Sequence, residues 1–143
     1  MKGRTEFRVY PSAKKKAFYT VFIFETKTAM QDHYRNLTRN LQFGGKYKDA
    51  GNATNFDAIA VNYGKTRQEI GQILFYSGFI GGGVASHEMT HAALYYVRNT
   101  GVKAQDLFNN PAVDEFLADT QGQLTRQFWV EYHRKAKRIG WLN

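Results

Sequence analysis

The stretch GGGVASHEMTHAALYYV, residues 81–97, sets two histidines four positions apart, with a glutamate beside the first, inside a run that otherwise reads as an apolar helix. Imidazole is costly against an apolar core unless both ring nitrogens are satisfied. On an α-helix His87 and His91 differ by about 400° of rotation, a net ~40°, and by ~6 Å along the axis, so both rings can close on one point. That is the geometry of a shared metal ion. Glu88 sits one step round the helix, beside such an ion and not aimed at it, which suits a base acting on a metal-held water. A chain of this length carries the His-Glu-x-x-His spacing by chance about once in 200. Ala85, Ala92 and Ala93 keep the surroundings small enough for close packing.

Working outward, the glycines at 81–83 let the chain turn from strand to helix, and Asn99-Thr100-Gly101 supplies a glycine stop, so the helix is expected over residues 83–98. On its N-terminal side, segments 6–10 (EFRVY) and 17–25 (AFYTVFIFE) are rich in aromatic and β-branched residues and read as two strands joined by a turn at PSAKKK. Thr26 or Thr28 can cap a following helix whose apolar stripe is Met30, Tyr34, Leu37 and Leu41, stopped by FGG at 43–45. Residues 46–55 read as loop. Segments 56–64, with Phe56, Ala58, Ala60 and Asn62 alternating, and 69–77 read as strands joined by a linker short enough to make them antiparallel neighbours.

On the C-terminal side, a loop containing KAQDLFNN leads to Asn110-Pro111, an N-cap followed by proline at the first helical position. One long helix to about residue 138 follows, with Gly122 as its single breaker. The expected architecture is α+β: a small, twisted, mainly antiparallel sheet with an N-terminal helix, a histidine-bearing helix and a long C-terminal helix. At 143 residues the chain fits one domain able to bury roughly 70 % of its unfolded surface.

There is no cysteine, so disulfides, thiolate ligands and a cysteine nucleophile are excluded, and any metal must be held by His, Asp or Glu. A zinc ion poised for catalysis takes three protein ligands and leaves a fourth position for water. The pattern extended by glycine and a third histidine is excluded, because Leu94 and Val97 stand at those places. His33 and His133 lie in other elements. In PAVDEFLADTQG, residues 111–122, Glu115 and Asp119 share one helix face, so Glu115 could complete a His2Glu set and Asp119 could accept the N–H of a ligand histidine. Asp114 competes with Glu115 for the ligand role, about 100° away round the helix. His133 is on the face of Glu115 but ~27 Å along a straight helix, too far for one site. Tyr95, Tyr96 and Arg126 are candidates for stabilising an oxyanion.

HEMTH together with the downstream EFLAD resembles the zincin metallopeptidases of the gluzincin kind, in their short single-domain bacterial and phage forms. The resemblance covers about residues 17–125. It implies a zincin-like fold with an edge strand along the cleft, Zn2+ held by His87, His91 and Glu115, Glu88 as catalytic base, Asp119 steadying a histidine, and a peptide or protein substrate.

Lys+Arg exceed Asp+Glu by 20 to 12, a formal charge of +8 with pI near 9.7. The basic residues gather at KKK (14–16) and HRKAKR (133–138). A rival reading is therefore a basic nucleic-acid- or protein-binding module with a structural or vestigial metal, although a solvated basic face is the simpler account. The apolar run at 17–24 starts inside the chain, contains Thr20 and meets Glu25 at once, unlike a signal peptide. No segment approaches a membrane span, and a cytoplasmic protein is expected.

Overall fold

A computed structural model describes residues 3–41, 56–63 and 68–138. At its centre lies the segment FYTVFIF, β2 (Phe18–Phe24), in which all seven residues are buried. A strand with no polar alternation must be covered on both faces. That is how β2 is used. It pairs antiparallel with β1 (Arg4–Val9) on one side and parallel with β4 (Glu69–Tyr76) on the other. β3 (Ile59–Asn62) pairs antiparallel with β4 and forms the far edge, giving the order β1-β2-β4-β3.

The sheet is thus mixed, not simply antiparallel. After β2 the chain crosses one face of the sheet as α1 (Lys27–Leu41) and next forms β3, which runs opposite to β2; β4, antiparallel to β3, resumes the direction of β2. Thr26 caps α1, its Oγ1 accepting the N–H of Ala29 at 3.1 Å. Met30 and Tyr34 from α1 bury against Phe22, Phe24, Val61 and Leu74. The expected stop at 43–45, the loop at 46–55 and most of the linker before β4 lie outside the described residues.

The opposite face carries α2 (Gly82–Asn99) and α4 (Pro111–Arg138). A short 3-10 turn, Ser77–Phe79, leads from β4 into α2. The second core joins Val9, Tyr19, Val21, Ile23, Ile73 and Phe75 of the sheet to Ala85, Met89, Ala92 and Ala93 of α2 and to Leu124 and Phe128 of α4. Each large apolar side chain buried there contributes about 1.5–3 kcal/mol. The alanines of α2 let its backbone approach the sheet closely enough for the buried Tyr19 hydroxyl to donate to the Ala92 carbonyl at 2.8 Å. Gly101, at φ +96°, ends α2 in the left-handed conformation expected of a C-terminal glycine.

Two local expectations change. The segment 56–64 yields a strand only over Ile59–Asn62, and both of its faces are used: Ala60 joins the core under α2, whereas Val61 joins the core under α1. Within the loop before Asn110, residues Asp106–Asn109 form a helical turn, α3. Asn110 then caps α4 as its sequence requires, its Oδ1 accepting the N–H of Ala112 at 3.0 Å.

Just past the end of β1, α4 satisfies the backbone of Tyr10. Gln127 accepts the N–H of Tyr10 at 2.8 Å and donates to its carbonyl at 2.8 Å, and Gln123 donates to the same carbonyl at 2.9 Å. These amides supply the partners that a further strand would otherwise supply. Among the described residues no helix is long and apolar enough to cross a membrane.

Candidate metal centre

Six residues of α2 point into the core: Ala85, Glu88, Met89, Ala92, Ala93 and Val97. His87 and His91 lie on the other side of the helix, with the His87 side chain 67 % exposed. The sequence places them so, because a residue two positions from buried Ala85 or Met89 is turned ~200° away from it. Their Nε2 atoms are 3.2 Å apart. At this distance the two nitrogens can share a proton, one ring donating and the other accepting. Two nitrogens on a tetrahedral zinc, each at about 2.0–2.1 Å, stand ~3.3 Å apart, so the pair is spaced to share one ion.

Glu88 is turned into the protein and is 6 % exposed. Its nearer oxygen is 4.0 Å from the His87 Nε2, longer than the spacing of two ligands on one zinc. Burial pushes its carboxyl above the usual carboxylate range, opposed by the adjacent His87 and by the backbone N–H of Ala60. The carboxylate accepts from the edge strand and stands beside, not between, the two imidazoles, a placement from which it could take a proton from a nearby water.

His87, Glu88 and His91 offer ligand atoms all within 4.8 Å of one another, and among the described residues they are the one such group. Glu115, Asp119 and Asp114 are exposed on α4 and do not join it. The core face of α4 is set by Thr120, Leu124 and Phe128. Glu115 precedes Thr120 by five residues, a net turn of about 140°, and so faces solvent. The other histidines are engaged elsewhere. His33 lies on the α1 face, its Nε2 2.7 Å from the Gln72 Oε1 and its ring packed against those of Phe22 and Phe24. His133 packs on Trp129 and Tyr132 far along α4.

The oxyanion candidates separate as well. The Tyr95 ring is stacked beside His91, with centroids 6.1 Å apart. Tyr96 instead faces Phe116 of α4. Arg126 lines a different concavity, beside Arg8 and Tyr10.

Two hollows flank the histidines. One, of about 320 Å³, is lined by Asp57, Ala58, Phe79, Gly83, Val84, His87 and Glu88. The second, of about 250 Å³, lies on the His91 side and is bounded mainly by Leu94, Tyr95, Val97, Val102 and Leu107, with Arg98 present. Asp57, Ala58 and Phe79 carry no signal in the sequence that would tie them to the histidines, since only the β3–β4 pairing and the turn after β4 bring them there.

No family model matches the chain, and no curated protein or solved structure matches it. The site's chemistry therefore rests on its own geometry: two imidazoles spaced for one ion, a buried carboxylate alongside, and open hollows to either side.

Proposed function

We propose that the protein is a zinc-dependent metallopeptidase of zincin type. The observation that carries this reading is the 3.2 Å spacing of the His87 and His91 Nε2 atoms with the buried Glu88 carboxylate 4.0 Å from the first. Bound there, zinc would supply Lewis acidity, making a peptide carbonyl electrophilic and a water acidic.

The chain's own groups do the rest. Glu88, held by burial and by the Ala60 N–H, takes a proton from the attacking water and delivers it to the departing amine. Glu115 is proposed as the third ligand, with Asp119 as acceptor for a ligand histidine and Asp114 as the alternative ligand. All three acids are exposed on α4 and stand outside the histidine group, so these roles require the first turns of α4 to rotate on metal binding and to give up the Tyr96–Phe116 contact and the packing of Leu117.

The substrate is an extended peptide lying along β3. Tyr63 donates to the Ile70 carbonyl, so β3 residues of that parity pair with β4, while Ala60 and Asn62 turn their backbone groups to the outer edge, with the Ala60 N–H directed at Glu88. The outer edge of an antiparallel strand accepts another strand through main-chain hydrogen bonds, and the two hollows receive side chains. The order of strand, α2 and α4 is consistent with the zincin arrangement.

The test is metal analysis combined with cleavage of a peptide library by the wild type and by Glu88→Gln. One zinc per chain in both proteins, with cleavage by the wild type alone, supports the reading. Cleavage that survives the substitution removes Glu88 as base, and a chain that refuses zinc removes the enzyme altogether.

A further inference from the structure

At the opposite edge of the sheet from His87, the end of β1, the turn that follows it and α4 enclose a concavity of about 460 Å³. Arg8 comes from β1, Lys15 from the turn and Arg126 from α4, so the tertiary structure gathers cations that are far apart in the chain. Among the described residues, none of the three has a carboxylate within 4.0 Å. Glu131, the one acid lining the hollow, is already bound by Arg134 at 2.5 Å. Exposed Lys14 and Lys16 continue the charge outside it.

Two of the cations lie over aromatic rings. The Arg8 guanidinium lies 4.0 Å from the centre of the Phe18 ring, and the Lys15 ammonium stands 5.7 Å from that of Tyr10. Lys15 also occupies a left-handed backbone conformation, φ 53°, where glycine or asparagine is the easy residue. Three exposed cations round one hollow, with no carboxylate among the described residues paired to them, make a surface of one sign that attracts anions.

We propose that this concavity binds the phosphate backbone of a nucleic acid. A lone phosphate is the poorer fit: the amides of Gln123 and Gln127, which could have converged on it, are engaged with the Tyr10 backbone. The cations are instead spread round an open rim and outward through Lys14 and Lys16, as successive phosphates along a strand require. A lipid surface would ask for apolar side chains at the rim, where Val130 is the one large exposed apolar residue. The inference is independent of the zinc reading, since no residue is shared between the two places.

The experiment is fluorescence anisotropy of the full chain with labelled single strands and duplexes of about 20 nucleotides, from about 50 to 200 mM salt. The wild type should bind one or both forms, weakening steeply as salt rises. The triple variant Arg8→Gln, Lys15→Gln, Arg126→Gln should lose at least tenfold in affinity, with the slope of log affinity against log salt smaller by ~2–3. Arg35→Gln, whose residue is paired with Asp32 on α1, should leave both unchanged. Because Arg8 packs on Phe18, Lys15→Gln with Arg126→Gln is measured separately, with an expected loss in slope of ~1.5–2. The proposal is overturned by no binding at low salt, by an unchanged slope in the variants, or by binding of phosphatidylserine vesicles or a phosphoserine peptide without binding of nucleic acid.

Discussion

The Nε2 atoms of His87 and His91 lie 3.2 Å apart, on the side of α2 that faces away from the core. The pair is therefore both spaced for an ion and reachable by one. Zinc should bind one per chain and raise the unfolding temperature. At a free zinc concentration 100 times the dissociation constant the gain is about 2.7 kcal/mol. Alanine at either histidine should abolish the shift in a thermal melt; a shift that survives both substitutions would place the metal elsewhere.

Glu88 serves as base and not as ligand in the proposed reaction, and the two roles part on substitution. Glu88→Gln should retain zinc with near-native affinity while peptide cleavage falls by ~10²–10⁴. Loss of zinc together with activity would make Glu88 a ligand instead. Calorimetric zinc titration beside a cleavage assay reads both quantities.

The third ligand is tested by zinc affinity alone, with no need of a substrate. Glu115→Gln should weaken binding by well over tenfold, and Asp119→Asn by ~10–100-fold. An unchanged Glu115→Gln beside a weakened Asp114→Asn would transfer the role to Asp114.

Gly71 holds β3 where Glu88 meets it. A Cβ there would stand 1.9 Å from the Val61 carbonyl oxygen and 2.9 Å from a Tyr19 ring carbon. Gly71→Ala should therefore destabilise by at least ~1–3 kcal/mol, as overpacking does, and displace β3 from α2. Urea unfolding measures the loss. A midpoint equal to that of the wild type would mean that β3 does not pack against β4 as described.

Alkali should unfold the protein through Tyr19. Burial raises its phenol well above the ordinary value of 10.0 while its hydroxyl donates to the Ala92 carbonyl. A group whose proton is held more tightly in the folded chain stabilises fully below its unfolded pKa and loses that contribution as pH rises. Stability should thus be level up to about pH 9 and fall beyond pH 10, where the unfolded chain ionises Tyr19 and the folded chain does not. Tyr19→Phe should reduce the fall, leaving the smaller share due to Tyr132, which burial shifts in the same direction. Urea midpoints between about pH 8 and 11 decide it; an equal slope in the variant would remove Tyr19 as the cause.

Much was legible in the sequence because it depends on local spacing alone. The four-residue interval of His87 and His91, the Asn110 cap and proline start of α4 and the Gly101 stop of α2 each follow from backbone geometry within one or two turns, whereas for the cap of α1 the sequence leaves Thr26 and Thr28 open and the structure selects Thr26. The position of Glu88 one step round the helix belongs to the same class. Its burial does not, since that requires β3 to lie against α2. Only the tertiary structure decided that β2 and β4 are parallel, that Ala60 meets Glu88, that Glu115 points to solvent once Thr120, Leu124 and Phe128 take the core face, and that Arg8, Lys15 and Arg126 share a hollow. Helical periodicity says which residues lie on the same side of an element. Which side meets the core depends on how well whole elements pack together, and no short stretch of sequence carries that information.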